Sequence, residues 1–308
     1  MATFKMLDAQ SALGFTLSQT SIIEREVNQI EYPDVNYAEL IPISTEGNPW
    51  AKSVTYFSGD KYGKADWING NSDDIPLAGT TMTKHETQVH TAGIGYGWGL
   101  EEISQAAWLG HNLPADDAVA ARRAYEEMVY RVALFGDASK GFTGLFNAPG
   151  VTAATAAVSW DTATPAQIIA DLNDLLVGQF TGTLFTSMAD TVILPYDRFL
   201  LLASTPRSAE SDTSILTWYL ANNPYTALTG RPLRIRGVQG LQTAGAGNTH
   251  RAIAYRRDPN VLRMHIPMPH RFLPVYQAGP IRWEVPGLFR LGGVDVRRPL
   301  DVSFLDAI

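Results

Sequence analysis

Between Val54-Thr55-Tyr56-Phe57 and the segment Glu86 to Ile94, both of which read as strands, lies Gly59 to Thr83. That stretch is rich in Gly, Asn, Asp, Ser and Lys and has no apolar period. Two strands flanking a long polar excursion make a hairpin that cannot bury both faces by itself. Unstructured excursions beyond about 15 residues are uncommon in compact domains, and those that occur are functional or held by a partner. A chain built around such a segment must find its remaining contacts elsewhere.

The charge distribution points the same way. The chain has 308 residues and a net charge of −7, with 45% hydrophobic and 18% charged residues. Residues 1–200 carry 11 basic and 24 acidic side chains, a net −13, whereas residues 201–308 carry 13 basic and 7 acidic, a net +6. All 13 of those basic residues are Arg, and all six Lys lie at or before Lys140. A negative total argues against a dedicated nucleic-acid binder. There is no Cys, which excludes disulfide scaffolds, zinc ribbons, thiol nucleophiles and iron–sulfur ligation. No run of about 18 uncharged apolar residues predicts a membrane span. Met1 to Asp8 lacks the basic-then-apolar layout of a secretory signal, so a soluble, cytoplasmic protein is expected.

Along the chain, the first 20 residues read as an extended arm. Ser21-Ile22-Ile23-Glu24 is a capping box opening a short helix to about Ile30, and Tyr37 to Ile43 reads extended. In Gly93-Ile94-Gly95-Tyr96-Gly97-Trp98-Gly99 the glycines alternate strictly with large apolar residues. That period suits a strand whose glycine face lies close against another backbone, rather than a phosphate-cradling loop. Leu100 to Leu109 fits a short helix. After Asn112, with Pro114 in the first turn and Asp116 and Asp117 where the helix dipole favours anions, comes the longest helical signal. In it Ala118, Tyr125, Val129, Val132 and Phe135 recur at helical spacing, with Arg122, Arg123, Glu126, Glu127 and Arg131 on the polar side. Thr164-Pro165-Ala166-Gln167 starts another helix, by capping box and first-turn proline, to about Phe180. Thr191 to Leu194 reads as a buried strand, followed by helices over Tyr196–Ala203 and Ser214–Ala221, the latter ending at Asn222-Asn223-Pro224. From Leu233 onward the pattern is short strands and turns, and the whole reads as α+β.

Catalytic constellations do not emerge. His85, His90, His111, His250, His265 and His270 do not make the helical spacing of a metal site, and His265 and His270, among prolines, read as surface turn residues. Glu101/Glu102, Asp116/Asp117 and Glu126/Glu127 are adjacent, and adjacent residues do not face each other on a helix. There is no Gly-x-Ser-x-Gly elbow and no Ser-x-x-Lys. No catalytic, cofactor or metal residue is assigned.

The order of features carries more than any motif. An arm, a two-stranded polar excursion, a long capped helix, a glycine-rich turn, an α/β segment and closing strands resemble the major capsid proteins of tailed bacteriophages. These have the Hong Kong 97-type fold, shared with encapsulin shells. The residues concerned are Gly97-Trp98-Gly99-Leu100-Glu101-Glu102-Ile103, the helix Leu113 to Phe135, Gly144-Leu145-Phe146-Asn147 and Val192-Ile193-Leu194-Pro195. Tyr255-Arg256-Arg257-Asp258-Pro259 and Gly292-Gly293-Val294-Asp295-Val296-Arg297-Arg298-Pro299 complete the set.

The resemblance implies an N-terminal arm over 1–50, an E-loop over 51–92 and a P-domain over 93–163 with its spine helix at 113–135. It further implies an A-domain over about 164–282 and strands over 283–308 returning to the P-domain. It implies a non-enzymatic subunit that assembles with copies of itself, as hexamers and pentamers, into a shell around double-stranded DNA held on the inner face without sequence specificity. A portal and a separate scaffold or decoration protein would be further partners, since the N-terminal scaffolding segment of some relatives is not seen here. The expected location is the virion, assembled in the host bacterial cytoplasm. Candidate assembly residues are Lys61, Tyr62, Lys64 and Trp67 in the excursion, and Arg231, Arg234 and Arg236 in the arginine-rich part. Two other readings are an encapsulin-like compartment shell and, remotely, a β-rich hydrolase using carboxylates such as Asp197 or Glu284.

Overall fold

Strict alternation along Thr191–Pro195 and Arg251–Tyr255 divides their side chains between two cores. Ile193, Ile253 and Tyr255 pack into one core, with Tyr125, Val129, Val132 and Leu134 of the helix Leu113–Phe135. Val192, Leu194, Ala252 and Ala254 pack into the other, with Ile168, Leu172, Leu175 and Leu176 of the helix Pro165–Gly182. A strand with successive side chains on opposite faces must do this when both faces are covered. The computed structural model describes residues 36–67, 75–109, 113–208 and 210–308. The expected arm and the Ser21–Ile30 helix lie outside the described residues.

The central sheet has five strands in the order Arg234–Val238, Thr191–Pro195, Arg251–Tyr255, Val302–Asp306, Thr152–Thr155. The first pair and the last pair run parallel, and the two inner pairings are antiparallel. Around it lie three small sheets. Ile43–Ser44 joins Leu262–His265 and Val294–Val296. Met268–Phe272 joins Gly287–Leu291 and His90–Gly93. Tyr276–Gly279 joins Arg282–Val285 and Tyr96–Gly99.

The glycine alternation has the reason expected of it. A Cβ at Gly93 would stand 2.8 Å from Gly287 O, one at Gly95 2.3 Å from Val285 O, and one at Gly97 2.8 Å from Trp283 O. The backbone of 93–97 therefore lies directly against that of 283–287, and only glycine permits it. The long helix spans 23 residues, about 34 Å at 1.5 Å per residue. Thr164 caps its helix as read, its Oγ1 accepting from Gln167 N and Gln167 Oε1 accepting from Thr164 N.

Five expectations change. Tyr37–Leu40 is a helical turn rather than extended chain, because turning brings both Tyr37 and Leu40 onto the body, where the Tyr37 hydroxyl donates to Glu126 at 2.7 Å. The flanking strands run into the polar excursion from both sides, as far as Tyr62 and from Gly79 onward: Ser53–Tyr62 pairs with Gly79–Gln88 through ten consecutive registered pairs. Backbone pairing needs no apolar period, so the period was silent there. The segment Glu86 to Ile94 is split at Val89, one part belonging to the hairpin and the other to a small sheet. Asn223 opens a helix, Pro224–Thr229, rather than only ending one, its Oδ1 accepting from Thr226 N. His265 and His270 are buried in or beside strands, not on surface turns. The His270 ring stacks on Tyr125 with centroids 5.2 Å apart, and His265 lies 3.9 Å from the Asp295 carboxylate.

Candidate assembly surface

The hairpin Ser53–Tyr62/Gly79–Gln88 is exposed on both faces for most of its length. Directly opposed residues of an antiparallel pair share a face. One face therefore presents Phe57, Lys84, Met82 and Lys61, and the other Tyr56, His85, Asp60 and Tyr62. Phe57 is 65% exposed, Tyr62 62%, Met82 72% and Trp67, beyond the strand, 100%. A two-stranded ribbon is marginally stable in water by itself, and this one carries large apolar side chains into solvent on both sides.

Contacts to the body concentrate at the root. Val89 N–H donates to Lys52 O at 2.9 Å, closing the ribbon's open end. Tyr56 stacks on His85, centroids 4.8 Å apart, and the Arg297 guanidinium lies 4.4 Å from the centroid of the Tyr56 ring. Burial and then the Asp295 carboxylate push the Tyr56 hydroxyl above its ordinary range. A cavity of about 610 Å³ separates this part of the ribbon from the body, lined by Tyr56, His85, Lys140, Phe142, Asp295 and Arg297.

Of the excursion residues singled out in the sequence, Lys61 and Tyr62 end the first strand, opposite Thr80 and Gly79. Lys64 and Trp67 follow beyond the strand, and all four are exposed. Phe57 and Met82, on the face of Lys61, are not marked as assembly residues by the sequence, because isolated apolar residues among polar ones make a weak signal when neither face is a core.

The arginine group forms a second surface. Arg234–Val238 is an edge strand of the central sheet, so Ile235 turns inward while Arg234 and Arg236 face solvent. Arg236 lies 3.4 Å from Glu39, both groups largely exposed. Arg234, Arg236 and Arg257 line one cavity of about 530 Å³ with Glu39, and Arg231, Arg256 and Arg257 line an adjoining one of about 710 Å³ with Asp190 and Asp258. Arg257 Nη2 donates to Ala38 O at 2.9 Å, which ties the Tyr37–Leu40 turn to this surface. In the sequence Arg256 and Arg257 stand out only within Tyr255–Pro259 and not as assembly residues, although a dibasic pair between a strand and an Asp-Pro turn marks a charged strand end.

The carboxylates of the hydrolase reading stand on separate elements. Asp197 Oδ2 meets His250 Nε2 at 2.9 Å, while His250 Nδ1 faces Arg198 Nη2 at 3.3 Å. Arg198 also holds Asp161 through both guanidinium nitrogens. Both imidazole nitrogens thus face charged side chains. Glu284 accepts from the Tyr276 hydroxyl at 2.8 Å and pairs with Arg282 at 2.9 Å. Among the described residues no group of three or more His, Asp or Glu is placed to hold a metal ion, and no helix is long and apolar enough to cross a membrane.

A family model described as major capsid protein matches residues 63–308. Among solved structures, the capsid of Myoviridae phage XM1 matches with a TM-score of 0.81 at 19% identity, covering 99% of this chain and 100% of that one. The capsid of a native GTA particle, computed with C5 symmetry, matches at TM-score 0.67 and 11% identity, with coverage of 98% and 99%. A structure from Mycobacterium phage Bobi matches at 0.61 and 12%, with coverage of 97% and 99%. At these identities the likeness is one of fold. No curated protein matches the chain in sequence.

Proposed function

Because the chain belongs to the major capsid protein family, it is a phage shell protein, and we propose that its copies pack as hexamers and pentamers into a closed shell around double-stranded DNA. The α+β architecture is the one that the resemblance to Hong Kong 97-type capsid proteins implied. The observation that carries the assembly reading is the ribbon Ser53–Tyr62/Gly79–Gln88, which displays Phe57, Tyr62 and Met82 to solvent on its two faces. Covering those side chains with a neighbouring copy supplies the burial that the ribbon lacks. Lys61, Tyr62, Lys64 and Trp67 belong to that contact.

Arg231, Arg234 and Arg236 form a second contact, toward carboxylates of a neighbour, for which the guanidinium fork is suited. Unlike surfaces meeting head to tail build rings and shells, and the −13 and +6 parts of the chain supply unlike surfaces. In this reading residues 51–92 are the E-loop, 93–163 the P-domain, about 164–282 the A-domain and 283–308 the closing strands that return to the P-domain, with the arm over 1–50. The subunit has no catalytic role. A net charge of −7 keeps the shell from gripping its packed DNA tightly. The particle, with a portal and a separate scaffold or decoration protein, assembles in the bacterial cytoplasm.

Electron microscopy of the purified full-length chain tests this: closed shells or capsomers are expected. A monodisperse monomer under every assembly condition, with the ribbon ordered, overturns it. Nucleic-acid content of particles from the native source separates a genome shell from a protein compartment.

A further inference from the structure

The guanidinium of Arg290 is buried, with the whole residue only 5% exposed, yet no carboxylate pairs with it among the described residues. Its chain neighbours Arg282 and Arg297 each have one, Glu284 and Asp295. Burying a charge without an opposite charge is costly unless its hydrogens are all well placed. Arg290 places them on the two ends of the hairpin. Nη1 donates to Pro49 O at 2.8 Å, just before the first strand, and Nη2 to Val89 O at 3.5 Å, just after the second. Nε donates to Thr91 Oγ1 at 3.0 Å, opposite Arg290 in the adjacent strand of the same sheet. The Trp50 ring stands 5.9 Å from the guanidinium carbon, over the chain segment that enters the ribbon.

Arg290 sits on Gly287–Leu291, a strand fixed on both sides by pairing to Met268–Phe272 and His90–Gly93. The fork therefore joins a rigid strand of the body to both legs of a ribbon that is otherwise solvent-exposed. A planar group with its donors at set angles holds two acceptors in a set direction, which an ammonium cannot do.

We propose that Arg290 is a positioning residue for assembly: it fixes the direction in which the hairpin leaves the body, and so where the hairpin meets the neighbouring subunit. The second clause rests on the shell reading; the first does not.

The test uses the full-length chain with R290K, R290M and T91A. R290K keeps charge and stem and loses the fork, while T91A removes one acceptor from an exposed residue and keeps the protein folded. In unassembled protein, hydrogen exchange of residues 53–62 and 79–88 should rise about tenfold in R290K, the effect of losing a charge-assisted hydrogen bond or two, and less in T91A. Residues 191–195 and 251–255 of the central sheet should keep wild-type protection. Particle yield should fall in the same order, or particle diameter should broaden. Equal acceleration in hairpin and central sheet means that Arg290 serves general stability, and this overturns the proposal, as does wild-type hairpin protection in both R290K and T91A. Loosened hairpins that still give wild-type particles overturn the assembly clause alone. Should wild-type chain form no particles, the shell reading fails, and the exchange ratio still decides whether Arg290 sets the hairpin. If neither Arg290 variant folds, T91A decides by the same ratio.

Discussion

Two residue-scale contacts decide much of the stability. Gly95 is the tightest point of the glycine row, where a Cβ would meet both Val285 O at 2.3 Å and Pro286 Cα at 2.8 Å. Both are backbone atoms, so no side chain can swing aside. Gly95→Ala should cost about 3 kcal/mol, as forced overpacking does, read as a lower denaturant midpoint. A substitution that leaves the midpoint unchanged would show that the two strands can separate without loss. The second contact joins Asp306 to Arg251, whose Nε and Nη2 donate to the two carboxylate oxygens at 2.6 and 2.8 Å. Burial works to raise the Asp306 carboxyl, but hydrogen bonds from Arg251 and from Ala246 N–H prevail and hold it below its ordinary 3.8. A carboxyl depressed in the folded state adds stability above its unfolded value and gives it up as pH falls through the folded one. The loss therefore belongs below about pH 4. Arg251→Met should remove about 3 kcal/mol at neutral pH, because it leaves a buried carboxylate without its cation, and should flatten the acid limb of melting temperature against pH. A variant that melts like wild type at pH 7 with the same acid limb refutes the pairing's importance.

At the scale of elements, the edge strand Arg234–Val238 shows how one stretch of chain serves two purposes. Ile235 and Val238 go into the cores, whereas Arg234 and Arg236 remain in solvent. Changing the solvent face should leave folding intact, since exposed ion pairs such as Arg236 with Glu39 contribute little. Reversing Arg231, Arg234 and Arg236 to Glu together should therefore leave the melting temperature within a few degrees while sharply lowering particle yield. The defect should grow milder as salt screens the charges. Normal particles from the triple variant would assign these arginines to an ordinary solvated strand face. The long helix is a contrasting case: its apolar stripe, through Tyr125, Val129 and Val132, packs into the core, while its charged side combines pairs of its own, as between Arg122 and Glu126, with the bond that Glu126 accepts from Tyr37.

For the molecule as a whole, the hairpin and the body are separable in energy. The body's two cores contain no residue of Ser53–Tyr62 or Gly79–Gln88. Replacing residues 55–86 by a two-residue Asn-Gly turn, between the paired Val54 and Thr87, should give a folded, soluble chain with the wild-type melting transition. The same chain should form no closed particles in electron microscopy. Collapse of the melting transition would mean that the body depends on the ribbon, and intact shells would mean that assembly does not.

What was legible in the sequence follows from range. The helix Leu113–Phe135, the Thr164 cap and the close-packed glycine face were all readable, because each rests on periods and hydrogen bonds within a few residues. So were the polar excursion and the strands flanking it, although not how far those strands run, since pairing of Ser53–Tyr62 with Gly79–Gln88 spends backbone groups that every residue carries alike. The seven assembly residues follow from their place in the polar excursion and in the arginine-rich part of the chain, and structure added the company they keep: Phe57 and Met82 beside Lys61, and Arg256 and Arg257 beside Arg231 and Arg234. Tertiary structure alone decided the contacts that join distant parts of the chain. It buried His265 and His270, turned Tyr37–Leu40 onto the body, and brought Arg290 within reach of Pro49 and Val89, some 200 residues and more away. Local patterns record what a residue must do with its neighbours; a side chain whose partners lie across the chain leaves no period to read.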